Sequence, residues 1–255
     1  MRKSTAPAQR PEFDFARAQA ALLALANPEK ARFLAGYFKT GKGQYGEGDQ
    51  FLGIVVPKVR TLARQFRHLP LPDCRKLLAS PYNEARLLAL LVLAQQYAQG
   101  DDATRDAVYA LFLKHRHRVN NWNLVDSAAP FIVGFHLLQR DRAVLYELLA
   151  SSSLWDRRIA ILSTFAFIRN NDFTETLQLV EKSLNDTQDL MHKACGWMLR
   201  EVGKRNAAVL DAFLARHHAA MPRTMLRYAI EKFGQEKRRA MLSGSYWETV
   251  ALQNK

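Results

Sequence analysis

The side chains best suited to chemistry are Trp122 and Asp126, which lie four residues apart within the stretch 120–126. Asn121 is a natural N-cap, so a helix is predicted to begin there and to carry both side chains on one face. A carboxylate and an electron-rich ring side by side both favour a cationic group. The alternative is structural: an acidic residue favoured by the helix dipole near a helix start, with the tryptophan packed inward.

A later helix, over residues 188–204, carries two stripes of different character. The apolar stripe comprises Met191, Cys195, Met198, Leu199 and Val202. The other stripe, at spacings i, i+4, i+7 and i+11, comprises Lys193, Trp197, Arg200 and Lys204. The two stripes are about 200° apart around the helix, which places Trp197 among cations and nearly opposite the buried face. A tryptophan in that position is more typical of a contact residue than of a core residue.

The whole chain is strongly basic, with 37 Lys or Arg against 24 Asp or Glu, a formal net charge of +13 and a pI of about 10.0. Such an excess indicates a polyanionic partner, either nucleic acid or an anionic membrane surface. The segment 193–239 alone holds 11 Lys or Arg against 4 Asp or Glu. We interpret this segment as a phosphate-binding wall, with a merely solvated basic face as the alternative.

Several classes of protein are disfavoured by the pattern of residues. No apolar run reaches about 18 residues, and no amphipathic segment pairs a wide apolar face with a uniformly basic one, so no membrane association is expected. The two cysteines, Cys74 and Cys195, indicate buried thiols in a reducing compartment, and we expect a cytoplasmic protein that joins the nucleoid when bound to DNA. His115 and His117 have the wrong spacing for a metal on one helix face, so neither a metal nor another cofactor is expected.

Helix-forming residues dominate the chain, which is therefore predicted to be all-α. The predicted helices cover residues 13–26, 28–40, from 57 onwards, 72–79, 83–98, 102–118, 121–139, 141–151, 154–169, 172–184, 187–203, 206–218 and 221–234. We expect residues 1–12 to form a disordered basic arm, residues 13–247 a single HEAT-like helical-repeat domain, and residues 248–255 a frayed tail.

A degenerate repeat runs through these helices. Its markers, separated by 36, 36, 35 and 34 residues, are Arg86, Trp122, Arg158, Lys193 and Arg227. Each marker lies near the start of the second helix of a predicted pair. This period is typical of an α-solenoid of stacked helix pairs, whose equivalent helices would line one concave basic groove. In this register Trp197 matches Asp126, so the special side chains would converge on one side. An irregular helical bundle is the alternative.

The most glycine-dense stretch, residues 41–49, contains a literal G-x-G-x-x-G pattern. We reject a dinucleotide-binding interpretation, because no strand precedes the stretch and no βαβ unit surrounds it. Two interpretations stay open: a flexible loop, or a loop that contacts phosphate beside Lys42.

Four segments of the chain match the pattern of a known family. They are residues 37–39 together with 51–57, the Asn-Trp-Asn-Leu-Val-Asp stretch at 121–126, residues 155–162, and residues 193–201, which end in Gly-Trp-Met-Leu-Arg-Glu. In these segments the chain resembles the AlkD-type DNA alkylation repair enzymes, which are alkylpurine DNA glycosylases with a HEAT-like helical fold. The resemblance extends over residues 28–235.

The resemblance implies that Trp122, Asp126, Arg158 and Trp197 form the functional site, with Tyr37 as a further candidate. The departure from the family pattern is the longer glycine-rich loop after Lys39, which bears on the placement of Tyr37. The family is thought to work on the sugar without enclosing the base, whereas glycosylases generally flip the base into a pocket. The sequence leaves both modes open.

The predicted function is a monofunctional DNA glycosylase that hydrolyses the N-glycosidic bond of cationic alkylated purines, such as N7-alkylguanine and N3-alkyladenine, in base excision repair. The catalytic residues would be Asp126, Trp122 and Trp197. The DNA-binding residues would be Arg158, Lys193, Arg200, Lys204, Tyr37, Arg86 and Arg227. The partner would be duplex DNA containing alkylated bases, bound by a monomer. The alternative is a non-catalytic helical-repeat scaffold for nucleic acid or protein, which would need the basic groove but not Asp126.

Overall fold

A computed structural model describes residues 13–247, and this part of the chain is built from 15 α-helices without a β-strand. The helices are α1 Phe15–Leu23, α2 Pro28–Tyr37, α3 Val56–Gln65, α4 Leu71–Leu78, α5 Asn83–Gln99, α6 Asp102–Lys114, α7 Trp122–Ala128, α8 Ala143–Leu149, α9 Leu154–Ser163, α10 Phe165–Arg169, α11 Thr174–Lys182, α12 Asp189–Arg205, α13 Ala207–His217, α14 Arg223–Ala229 and α15 Gln235–Ser243. The prediction of an all-α helical-repeat fold is confirmed. The arm and the tail predicted at residues 1–12 and 248–255 lie outside the described residues.

Short polar side chains begin several of the helices. Asp14 accepts a hydrogen bond from the Arg17 amide at 2.8 Å, and Asn27 accepts one from the Lys30 amide at 2.9 Å. Pro28 follows Asn27 at the first position of α2, where a missing N–H costs no helical bond. Capping by these side chains therefore explains where α1 and α2 begin.

The chain divides into two compact units between Ser127 and Ala128. In the first unit α5 is the central helix, and α3, α4 and α6 pack against it. Twelve of its 17 residues are buried, among them the apolar run from Leu87 to Leu93. A helix that is apolar almost all round is what a central position requires.

In the second unit α12 is the central helix, and α9, α13 and α14 pack against it, while α8 packs against α9. The predicted apolar stripe of α12 is confirmed, because all five of its side chains are fully buried. Gly196 allows α14 to approach closely, since a Cβ there would lie 2.4 Å from the Met225 carbonyl oxygen and 2.5 Å from the Tyr228 Cβ.

The five repeat markers lie in α5, α7, α9, α12 and α14. In chain order each of these helices directly follows another α-helix, namely α4, α6, α8, α11 and α13, and the short α10 lies between α9 and α11. The alternation of first and second helices agrees with the repeat that the sequence predicts. That the markers line one common face stays a prediction.

The structure differs from the predicted helices mainly by dividing the longer ones. The helix predicted at 102–118 ends at Lys114 and is followed by a 3-10 turn over Arg116–Arg118. The helix predicted at 121–139 gives way to a π-helical segment over Pro130–Gly134. Pro130 has no N–H to donate to an α-helical hydrogen bond, so a change of helical form there has a local cause.

Helix α15 was absent from the sequence prediction. Its stretch Gln235–Ser243 is mostly polar, and its three apolar residues are consecutive, at 240–242. Contacts with earlier residues hold this region: Lys237 pairs with Asp211 at 3.4 Å, and Trp247 stacks on His218 at 4.2 Å between ring centroids. The Trp247 indole also donates locally to the Met241 carbonyl of α15 at 3.0 Å.

Both cysteines are free and buried, as predicted. Burial raises the pKa of the Cys74 thiol and of the Cys195 thiol to about 12 each. Over the described residues, no helix combines the length and apolarity needed to span a bilayer.

Candidate functional site

Helix α7 presents Trp122 and Asp126 one turn apart, and both side chains are partly exposed. The neighbouring Leu124 and Val125 are fully buried, so α7 is held by its apolar face. Asn121 stands at the helix start, where its side-chain oxygen accepts from the Trp122 amide at 2.9 Å and its carbonyl accepts from the Leu124 amide at 3.1 Å. The predicted capping role is met in a modified form, because the side chain serves the first helical amide.

A buried polar network fixes the residues on both sides of Trp122. One Asp49 oxygen accepts hydrogen bonds from Asn121 at 3.0 Å and from Asn83 at 2.9 Å, while its other oxygen is paired with Arg86. Asn123 donates to Asn83 at 2.7 Å. All five side chains are buried. Each of the five side chains has a hydrogen-bond partner, and only the Arg86 Nε atom of the network is buried without one. The network therefore fixes the start of α7 and with it the presentation of Trp122 and Asp126.

The glycine-rich loop supplies the centre of this network, because Asp49 is its last residue. The loop folds into successive turns, and the Gly46 amide donates to the Lys39 carbonyl at 3.0 Å. A Cβ at Gly46 would lie 2.3 Å from the Phe38 carbonyl oxygen and 3.1 Å from the Asn121 side-chain nitrogen. The loop is thus packed against the start of α7, a structural role that neither open interpretation had assigned to it.

A second buried carboxylate anchors the segment after the loop. Glu84 accepts hydrogen bonds from the backbone amides of Leu52, Gly53 and Ile54 at 2.9, 2.9 and 3.1 Å. Gly53 has φ +82°, and a Cβ there would lie 2.1 Å from the Asn27 carbonyl oxygen, so only glycine fits. This anchor holds the chain beside the aromatic cluster next to α7.

Aromatic rings surround Trp122. It stacks on Phe38 with centroids 4.9 Å apart and planes 20° apart, and Phe38 stacks in turn on Phe51 at 4.9 Å. Tyr37 meets the Trp122 ring edge-on at 6.1 Å and remains 56% exposed. The structure therefore brings Tyr37 to Trp122 despite the longer loop, and Phe38 is a supporting residue that the sequence interpretation missed.

In the second unit Trp197 is partly exposed on α12 and is hydrogen-bonded to a carboxylate. Its indole N–H donates to Glu201 at 3.1 Å, and Lys204 pairs with the same Glu201 oxygen at 2.7 Å. Trp197 and Lys204 are thus linked through Glu201, an acid that lies outside the predicted stripe.

The other two cations of the stripe are also paired. Arg200 forms an ion pair with Glu231 and lies 3.7 Å from Glu201. Lys193 pairs with Asp189 at 2.7 Å, and this hydrogen bond lowers the pKa of the Asp189 carboxyl. The basic stripe of α12 is therefore a mixed surface of cations and carboxylates.

Two arginines predicted to bind DNA are buried and take structural positions. Arg86 is 1% exposed, and besides Asp49 it donates to the Ser80 and Pro81 carbonyls at 2.8 and 2.9 Å; burial lowers its pKa. Arg158 is 4% exposed and donates to the Leu190 carbonyl, in the first turn of α12, at 2.6 Å. The predicted phosphate contacts of Arg86 and Arg158 are corrected accordingly, because both side chains are buried and donate to groups of the protein.

Arg227, the last marker, is exposed on α14 and makes no ion pair with another described residue.

The two histidines considered for a metal site, His115 and His117, lie 6.1 Å apart between ring centroids. Within residues 13–247, no three His, Cys, Asp or Glu side chains come together as a metal site would require.

The fold and the site together describe a helical-repeat protein with an anchored tryptophan–aspartate pair. Comparison with known proteins identifies its family. The sequence model of the DNA alkylation repair enzymes matches residues 18–233, and the chain belongs to that family. Membership gives the protein a role in DNA repair.

Among solved structures, the fold is similar to one described as "Predicted DNA alkylation repair enzyme from Enterococcus faecalis", with a TM-score of 0.62 and 17% sequence identity. The similarity covers 82% of this chain and 97% of that one. No curated protein sequence matches the chain.

Proposed function

We propose that this protein is a monofunctional DNA glycosylase that removes cationic alkylated purines, such as N7-alkylguanine and N3-alkyladenine, from duplex DNA. The observation that carries the proposal is the Trp122–Asp126 pair on α7, held from behind by the buried Asp49 network. A carboxylate on a fixed helix is preorganised, so its charge acts without reorganisation at the moment of reaction.

The chemistry needs little more than a placed negative charge. Alkylation makes the purine cationic and weakens its bond to C1′ of the deoxyribose. When that bond breaks, the base leaves with the bonding electrons and is neutralised, while positive charge develops on the sugar. Asp126 stabilises this charge and orients a water molecule, which adds to C1′ and loses its proton to solvent. Strand cleavage would require a lysine to form a Schiff base with the sugar. The proposal uses water as the nucleophile instead, so the reaction is a hydrolysis that leaves the strand intact.

An aromatic ring next to Asp126 would act on the same charge. The electron-rich face of Trp122 would attract the cationic sugar, and Trp197 on α12 is proposed as a second ring able to contact a cation. The stack of Trp122 on Phe38 and Phe51 favours a fixed ring orientation. Arg227, Lys193, Arg200 and Lys204 are the proposed phosphate contacts, with Tyr37 beside Trp122. Arg158 and Arg86 enter the proposal as positioning residues, through Leu190 and Asp49 respectively.

The test is single-turnover release of 7-methylguanine from a methylated duplex, run beside a binding measurement on the same protein preparation. The proposal predicts base release above the spontaneous rate with the strand left intact. If the protein binds the duplex but releases no base, the glycosylase proposal is wrong and the non-catalytic scaffold is the better interpretation. Release accompanied by strand cleavage would instead contradict the monofunctional assignment.

A further inference from the structure

The exposed face of α2, made up of Lys30, Phe33, Gly36 and Tyr37, has no role in the site described so far beyond Tyr37. We infer that this face contacts the duplex next to the nucleotide held at Trp122, with Phe33 packed against a deoxyribose or an unstacked base. The inference rests on the proposed function for its partner, duplex DNA, and adds residues that neither the chemistry nor the repeat pattern assigned.

The rings of α2 continue the aromatic cluster out to solvent. Phe33 is 71% exposed, more than any other large apolar side chain among the described residues, and stacks on Tyr37 at 6.3 Å with planes 14° apart. Tyr37 then meets Trp122 edge-on at 6.1 Å. Leaving a phenylalanine in water forfeits the gain of burying it, so a continuous exposed row of rings indicates a surface that is covered when the protein binds.

Gly36 is an independent sign of close approach. It lies on α2 between the two exposed rings, has no atom within 4 Å of where a Cβ would be, and does not have a positive φ. Neither space nor backbone conformation in the free protein requires glycine, and alanine would stabilise the helix. A glycine at this position would let a partner approach the helix backbone closely.

The charges around the rings select the partner. Four cations, Lys30, Arg32, Lys39 and Lys42, are exposed on α2 and the following loop, and none forms an ion pair with another described residue. Glu29 and Glu47 are the acids of residues 28–49 apart from the buried Asp49. Unpaired cations that flank exposed rings are the combination that binds a phosphate backbone and its bases.

The experiment measures the affinity of the full chain for a fluorescent unmethylated duplex, using wild type and the variants Phe33→Ala, Gly36→Ala and Lys30→Gln. Phe33→Ala should weaken binding about fivefold to a hundredfold without changing the slope of log Kd against log salt. Lys30→Gln should flatten that slope by about one. The matched control is Leu23→Ala on α1, where a 50% exposed apolar side chain is removed and affinity should stay within about twofold.

Gly36→Ala separates binding from folding. Its thermal midpoint should stay unchanged or rise by about 1–4 °C, while its affinity should fall about threefold or more. Wild-type affinity in both Phe33→Ala and Gly36→Ala would overturn the inference and make the face a site for another protein chain. If the wild type releases no base while these variants still bind DNA more weakly than the wild type, the glycosylase proposal is wrong but α2 remains a DNA-binding surface.

Discussion

The cations of α2 and its following loop differ from those of α12 in what they contact. Around α2 the exposed Lys30, Arg32, Lys39 and Lys42 have no acidic partner among the described residues. On α12 each predicted phosphate-binding cation already has one: Asp189 for Lys193, Glu231 for Arg200 and Glu201 for Lys204.

This difference shows that the number of Lys and Arg residues in a segment does not give the number of cations that lack an acidic partner and can bind phosphate. The segment 193–239 has the larger excess of Lys and Arg, yet the three cations of its α12 stripe, Lys193, Arg200 and Lys204, are engaged with carboxylates. The stretch around α2 has a smaller excess and keeps its cations available. Three predictions, taken from the largest expected effect to the smallest, test the buried anchor of α7 in the first unit, the α12 surface in the second, and then the contrast itself.

The largest effect is expected at the buried charge pair behind α7. Asp49→Asn leaves the Arg86 guanidinium buried without its counter-charge, which should lower the free energy of unfolding by about 3–5 kcal/mol. Urea denaturation measures it. The control is Asp211→Asn, whose pair with Lys237 is partly exposed and should cost about 1 kcal/mol or less. Equal losses in the two variants would show that the network does not anchor α7.

An intermediate effect is expected at Trp197. Trp197→Ala should weaken duplex binding about fivefold to a hundredfold and also slow base release, because a contact surface and a charge-stabilising ring are both lost. Trp197→Phe keeps a ring while losing the hydrogen bond to Glu201, so it should retain most of the affinity. Wild-type affinity in Trp197→Ala would remove the α12 surface from the DNA-binding face.

The smallest effect is a difference in salt dependence. Lys42→Ala removes an unpaired cation and should flatten the slope of log Kd against log salt by about one. Lys204→Ala removes a cation that is paired with Glu201, and the slope should change by clearly less. The two variants are compared across one salt series on the same duplex. Identical changes in slope would mean that the ion pairs of α12 open when DNA binds, and the contrast between the regions would disappear.

The general fold could be predicted from the sequence because it depends on local patterns. The apolar stripe of α12 has helical spacing, and all its residues are buried. Asn27 and Pro28 carry their own signal for the start of α2. Helix α15 could not be predicted in this way, because its only apolar residues are three consecutive ones, at 240–242, which form no helical spacing.

The candidate site was predictable only in part. Trp122 and Asp126 follow from one helical turn, whereas the network behind them joins residues 34 and 72 positions apart in the chain, from Asp49 to Asn83 and to Asn121. Arg86 and Arg158 share the period of the functional residues, but their burial depends on carbonyl groups that only the folded chain brings to them. Periodicity gives the helix on which a residue lies, not the partner that its side chain finds.

The central claim is that the carboxylate of Asp126 performs the chemistry, and its most direct test is Asp126→Asn in single-turnover release of 7-methylguanine with enzyme in saturating excess. The control is Asp102→Asn, which removes an exposed carboxylate on α6. We predict a loss of about 10²–10³ in the rate constant for Asp126→Asn alone. Duplex affinity should stay unchanged or tighten, because a carboxylate near phosphates is repulsive. A rate constant within about threefold of wild type would contradict the claim.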